Sequence, residues 1–126
     1  MCLLVVRHAI AMDREEFARS GKDDGERPLT KEGRDKMQKG AKGLREIVPT
    51  IDVLASSPLV RAMETAAIVA AAYDSLPVVT IDELKPEAKL AAFLRWLKSQ
   101  HAEETVAIVG HEPHLSTLVS WLLAGR

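Results

Sequence analysis

Three short apolar runs each hand over to residues able to grip an anion. Cys2-Leu3-Leu4-Val5-Val6 leads into Arg7-His8-Ala9. Val53-Leu54-Ala55 leads into Ser56-Ser57-Pro58-Leu59-Val60-Arg61. Val106-Ala107-Ile108-Val109 leads into Gly110-His111. A buried strand that ends this way delivers its cation or imidazole to the carboxyl edge of a sheet, where open α/β sheets bind ligands. If the strands are parallel neighbours, two guanidiniums and two imidazoles converge on one small pocket. Such a set suits a phosphoryl dianion. The Arg fork holds two oxygens at once. Arg61 falls in the first turn of the following helix, whose free N–H groups and dipole also favour anions. His111 stands where a strand gives way to a helix and supplies a further hydrogen bond. His8 has a different task, because a neutral imidazole is a nucleophile toward phosphorus. Two guanidiniums close by disfavour the imidazolium form. A backbone carbonyl that accepts the other ring N–H would fix the tautomer. The proton for a leaving group would come from Ile81-Asp82-Glu83-Leu84-Lys85-Pro86. Glu83 is favoured over Asp82 there, although spacing alone does not separate them.

The elements needed to position these residues are legible. Residues 2–6 and 105–109 lack polar alternation and read as strands buried on both faces, as in a parallel sheet. Residues 51–55 form a third strand, and 78–81 a shorter one nearer an edge. Helical spacing after Thr30 runs through Met37, Ala41 and Leu44 to Ile47 or Val48, and Pro49 ends it. Gly33, Gly40 and Gly43 each cost that helix about 1 kcal/mol against Ala, so packing must hold it, with close approach to the sheet as a reason for them. Ser57 reads as the N-cap of a second helix with Pro58 at N1. A third helix covers about 87–100, with Leu90, Phe93, Leu94 and Leu97 on one face. A fourth follows Pro113, with Leu115, Leu118, Val119 and Leu122 inward. Four alternations of strand and helix predict an α/β sandwich. The charged stretch 13–27 reads as a solvated loop near the pocket mouth.

The chain has 126 residues, 47% apolar and 28% charged, which fits one ordinary soluble domain. A net charge of -1 gives no global attraction to nucleic acid or an anionic membrane. The single Cys excludes an internal disulfide framework and a Cys-based zinc site, and a reducing cytoplasm is the expected compartment. No signal-peptide pattern and no run long enough to span a bilayer is present. Cys2 precedes Arg7 by only four apolar residues, too few for a cysteine-phosphatase loop, and reads as a buried small hydrophobe. Guanidinium charge beside His8 opposes a divalent cation, so no metal is expected. No Gly-rich nucleotide loop occurs. His101 and His114 read as surface or structural residues.

The residues resemble the histidine phosphatase superfamily, marked by Arg-His-Gly or Arg-His-Ala after the first strand. The second motif, Ser-Pro-x-x-Arg-Ala-x-x-Thr-Ala, appears as Ser57-Pro58-Leu59-Val60-Arg61-Ala62-Met63-Glu64-Thr65-Ala66, and Gly110-His111 supplies the third. The segments Arg27-Pro28-Leu29-Thr30-Lys31-Glu32-Gly33 and Glu83-Leu84-Lys85-Pro86 look like those of the small bacterial phosphohistidine phosphatases. The resemblance implies a three-layer α/β/α sandwich of the phosphoglycerate mutase-like kind, with a mainly parallel central sheet. It implies His8 as covalent nucleophile, Arg7, Arg61 and His111 as phosphoryl ligands, Glu83 as acid, Arg27 at the pocket rim, and no metal or cofactor. Family members of this size class usually continue past the last helix. This chain stops at Leu123-Ala124-Gly125-Arg126, so either a smaller sheet or a shortened C-terminus is expected. The long insertions of mutase-like relatives are missing, which leaves the pocket open to a protein-borne substrate. The expected function is hydrolysis of phosphohistidine on a partner protein in signalling, by a monomer with no nucleic-acid or membrane partner. A broad small-molecule phosphomonoesterase is the alternative, and a non-catalytic phospho-ligand binder a third reading.

Overall fold

The computed structural model describes residues 1–123. Residues 124–126, on which the expectation of a shortened C-terminus falls, lie outside the described residues. The elements run β1 (Cys2–Arg7), α1 (Arg14–Ala18), α2 (Lys31–Ile47), β2 (Val53–Ser56), α3 (Val60–Ala72), β3 (Val78–Thr80), α4 (Leu90–Lys98), β4 (Thr105–Gly110) and α5 (His114–Leu123). Two 3-10 turns, Asp24–Glu26 and Asp82–Leu84, sit in the connections.

The strands form one sheet in the order β1-β4-β2-β3, every pair parallel. Alternating side chains feed two cores. Leu54, Ala107 and Val109 pack with Ala41 of α2 and with Ala62, Ala66 and Val69 of α3 on one face. Ala55, Val106 and Ile108 pack with Phe93 of α4 and with Leu115 and Leu118 of α5 on the other. This is the expected three-layer α/β/α sandwich. The register is the feature that matters for chemistry. Arg7 pairs with Gly110, and Ser56 with Val109. Three strands therefore end at one level, so His8, His111 and Ser57 leave the sheet side by side at its carboxyl edge.

Four expectations are corrected. β1 is an edge strand, so it is only half covered, and Cys2 is exposed rather than buried. Ser57 does not cap α3, which starts at Val60 behind Leu59; the Ser57 hydroxyl instead accepts the Leu59 N–H within the turn (3.2 Å). Gly40 and Gly43 face open space, and only Gly33 answers to close approach, where a Cβ would collide with the Ile10 carbonyl. The contact is with the loop after His8, not with the sheet. Finally, the stretch 13–27 is organised. Asp13 caps α1 by accepting the Glu16 N–H (2.9 Å), Phe17 is buried, and Asp23 caps the 3-10 turn that leads into a buried Arg27.

Candidate active site

The loop leaving β1 is held before any ligand enters. The His8 N–H donates to the Gly110 carbonyl (3.1 Å). The Ala9 N–H donates to the Thr65 hydroxyl (3.0 Å), which itself donates to the Arg61 carbonyl one helical turn earlier (2.8 Å). The spacing of Arg61 and Thr65 on α3 therefore fastens the loop that carries His8 to the helix that carries the second arginine. Further along, the Thr30 N–H donates to the Ile10 carbonyl (3.0 Å), and the Met12 N–H to the Pro28 carbonyl (2.8 Å). Glu64 joins in by accepting the Leu29 N–H (2.7 Å).

A cavity of about 540 Å³ opens over this edge, lined among others by Arg7, His8, Arg14, Arg27, Arg61 and His111. Five of these were read from the sequence. His8 Nδ1 donates to the carbonyl of Ala9 (2.8 Å). A carbonyl can only accept, so in the neutral ring Nε2 is left with its lone pair. Burial lowers the His8 pKa below the ordinary histidine value; the Ala9 hydrogen bond works against that shift, and the charges of Arg61, Arg7 and Arg27 reinforce it.

His111 is buried, with its ring 5.3 Å from that of His8 between centroids and inclined at 53°. Its Nε2 lies 2.8 Å from the Ser57 hydroxyl. Burial, and then the charge of Arg61, lower its pKa to about 3, so the ring is neutral at physiological pH and has one N–H to place. With the Ser57 hydroxyl donating to Nε2, that N–H sits on Nδ1, a buried nitrogen that no protein group meets. Arg61, only 5% exposed, likewise has a buried Nε without a partner. Buried polar atoms are ordinarily satisfied, so two orphans on the wall of one cavity mark a place for an acceptor-rich ligand.

Arg27 is held by the Asp24 carboxylate at Nε (2.9 Å) and by the Met12 carbonyl at Nη1 (2.9 Å). Burial and the charge of Arg27 lower the Arg61 pKa, while Asp24 opposes the shift; a guanidinium remains charged regardless. Glu83 is not on the cavity wall. The 3-10 turn Asp82–Leu84 sends Leu84 into the core and leaves Glu83 half-buried beside it, while Asp82 pairs with Lys85 (3.5 Å). Only Pro86 of that segment lines the cavity. The carboxyl that does line it is Glu112, which accepts from the Ser116 hydroxyl (2.6 Å) and N–H (2.8 Å). Those bonds lower its pKa and keep it ionised.

Sequence reasoning missed Arg14, Asp24, Glu112 and the Ser57–His111 contact. One signal for Arg14 was available: Asp13-Arg14-Glu15-Glu16 has the spacing of a capping box, which would have put Arg14 on a helix beside the pocket. Among the described residues no group of three His, Cys, Asp or Glu side chains could hold a metal ion, and no helix is long and apolar enough to cross a membrane.

Known proteins are similar to this chain in sequence and fold. An uncharacterised protein of Picosynechococcus sp. is 37% identical over 128 aligned positions, covering 100% of this chain and 75% of that protein. The structure of the protein histidine phosphatase SixA complexed with tungstate is 26% identical at a TM-score of 0.82, covering 95% of this chain and 75% of that one. A SixA structure from Agrobacterium tumefaciens shares the fold at a TM-score of 0.83 and 24% identity, over 96% of this chain and 75% of that one. Residues 3–86 match the family described as the histidine phosphatase superfamily (branch 1), a span that includes Arg7, His8 and Arg61. This chain belongs to the histidine phosphatase superfamily.

Proposed function

We propose that the protein is a metal-independent phosphatase that removes the phosphoryl group from phosphohistidine on a partner protein through a phosphorylated His8. The observation that carries this reading is the His8 ring itself: Nδ1 is tied to the Ala9 carbonyl, and Nε2 is free in a cavity lined by four arginines. In the first step Nε2 bonds to phosphorus as the P–N bond of the substrate breaks. In the second, water bonds to phosphorus, the P–Nε2 bond breaks, and dihydrogen phosphate leaves with both protons of the water. Arg7, Arg61 and the His111 N–H hold the three equatorial oxygens, with Arg27 at the rim. This is the positioning and charge stabilisation on which phosphoryl transfer depends.

The choice of phosphohistidine rests on proton supply. The cavity-lining carboxyl is held ionised, and Glu83 stands off the wall. An alkoxide leaving group needs a strong proton donor. An imidazole does not, because it titrates near neutrality and can arrive with its proton already on the other nitrogen. Exchange of one imidazole for another also makes and breaks like bonds. The cavity mouth carries no long insertion, which favours a protein-borne group, and the partner on this reading is a cytoplasmic phosphoprotein of a signalling system, met by a monomer.

A general acid contributes about 10²-fold to 10⁴-fold where one is needed. On this basis kcat/KM for a phosphohistidine peptide exceeds that for the matching phosphoserine peptide by at least about 10²-fold, and a chelator leaves both unchanged. Equal turnover of the two peptides would favour a broad phosphomonoesterase, and chelator sensitivity would restore a metal.

A further inference from the structure

The 3-10 turn Asp24–Glu26 holds a carboxylate that the mechanism above does not use. Asp24 is the one acidic residue, among those described, in ion-pair contact with the cavity's arginines. Its Oδ1 accepts from Arg27 Nε (2.9 Å), and its Oδ2 lies 3.4 Å from Arg61 Nη1. The Asp24 backbone carbonyl accepts from the same Nη1 (3.1 Å). Arg27 and Arg61 are 7% and 5% exposed, so neither charge can be relieved by water alone. They come from segments 34 residues apart in sequence and repel one another. Burial raises the Asp24 pKa, but the Arg27 hydrogen bond and the charges of Arg27, Arg61 and Arg14 outweigh it and hold the carboxyl below its ordinary value.

We propose that Asp24 is a positioning residue: it brackets Arg27 and Arg61 and fixes the fork that receives the phosphoryl group, without touching the substrate. The inference rests on the phosphoryl-transfer reading of the site. The allocation of donors favours a bracket over a competing counter-ion. Asp24 engages Arg61 through Nη1 alone, leaving the side-on edge with its unpartnered Nε for a ligand. On Arg27, Nε goes to Asp24 and Nη1 to the Met12 carbonyl, so the guanidinium plane is fixed with Nη2 uncommitted. The stretch 13–27 is thereby part of the site, because the turn that carries Asp24 sets the direction of an arginine on α3.

The test measures tungstate affinity by calorimetry and kcat on a phosphohistidine peptide for the wild type, Asp24→Asn and Asp24→Ala, with circular dichroism to verify the fold. A displaced catalytic group costs on the order of 10-fold to 100-fold. Asp24→Ala is therefore expected to weaken tungstate binding and lower kcat by about 10-fold or more. Asp24→Asn keeps an oxygen for Arg27 Nε and is expected to lie between Ala and wild type. If Asp24→Ala does not fold, Asp24→Asn alone decides, with reduced kcat and weaker tungstate binding as the expected result. Tighter tungstate binding with unchanged kcat would make Asp24 a competing counter-ion, and no change in either would make it a surface ion pair; each overturns the proposal. Wild-type protein that binds no tungstate would instead bring down the phosphoryl-transfer reading itself.

Discussion

At the scale of single residues, the proposed chemistry turns on how His8 is kept neutral and turned the right way. The Ala9 carbonyl fixes the tautomer, and burial and three arginine charges hold the pKa down. The sign is simple. On the proposed mechanism the nucleophile is the neutral form, so a lowered pKa keeps Nε2 free as the pH falls past the ordinary histidine value of about 6.5, and protonation blocks it only at a lower pH. A titration of the His8 ring by nuclear magnetic resonance in the free protein is expected to give a midpoint below 6.5; a midpoint at or above it would mean that the arginines and the burial do not govern this ring. Arg7, His8, Arg61, His111 and Arg27 were legible because each follows a strand or sits in a motif. The placement of Glu83 was not. Glu83 stood at a plausible distance in sequence, but a 3-10 turn rotates it off the wall as Leu84 enters the core. Spacing says nothing about such a rotation.

At the scale of elements, α2 and α3 act as clamps on the loop after β1. Thr65 and Glu64 of α3 bond to Ala9 and Leu29, and Gly33 in the first turn of α2 lets the Ile10 carbonyl come close. The three glycines of α2 look alike in sequence but carry different burdens. At Gly33 a methyl group has no room, so Gly33→Ala is expected to destabilise the protein by about 1–3 kcal/mol through overpacking and to lower activity, since the displaced backbone is that of the His8 loop. Gly40 and Gly43 face open space within a helix. Replacing either by Ala is expected to stabilise by up to about 1 kcal/mol with activity intact. Urea denaturation and a turnover assay on the three variants check this; equal effects at all three positions would contradict the clamp. The strands and long helices were readable from periodicity, and Thr30 is the N-cap of α2, just where the helical spacing starts. The start of α3 was misread because Ser57, an apt cap by type, spends its hydroxyl on His111 and the Leu59 N–H. The contact with His111 competed with capping and won.

At the scale of the whole molecule, the parallel register does the assembling. Because β1, β4 and β2 end level, residues up to 103 positions apart, His8 and His111, stand ring beside ring. This much followed from the sequence, because Arg-His, Ser-Ser-Pro and Gly-His each close an apolar run. The edge position of β1 did not follow, since an apolar run has the same composition at an edge or a centre. A buried neutral His111 also ties stability to pH. Its pKa is about 3 in the folded protein against 6.5 for an unperturbed histidine, so between these values the unfolded chain binds the extra proton and acid favours unfolding. Stability is expected to fall from pH 6.5 toward pH 4, more steeply in the wild type than in His111→Gln; parallel slopes in urea denaturation would show that His111 is not the linked group. The assembled edge has one purpose on this account, to make a bond between His8 Nε2 and phosphorus. The most direct measurement is to quench the enzyme during turnover of a phosphohistidine peptide and map the acid-labile phosphate. The expected result is phosphate on His8 alone, none trapped by a folded His8→Ala protein, and no turnover by that variant. Phosphate on another residue, or an active His8→Ala enzyme, would contradict the account.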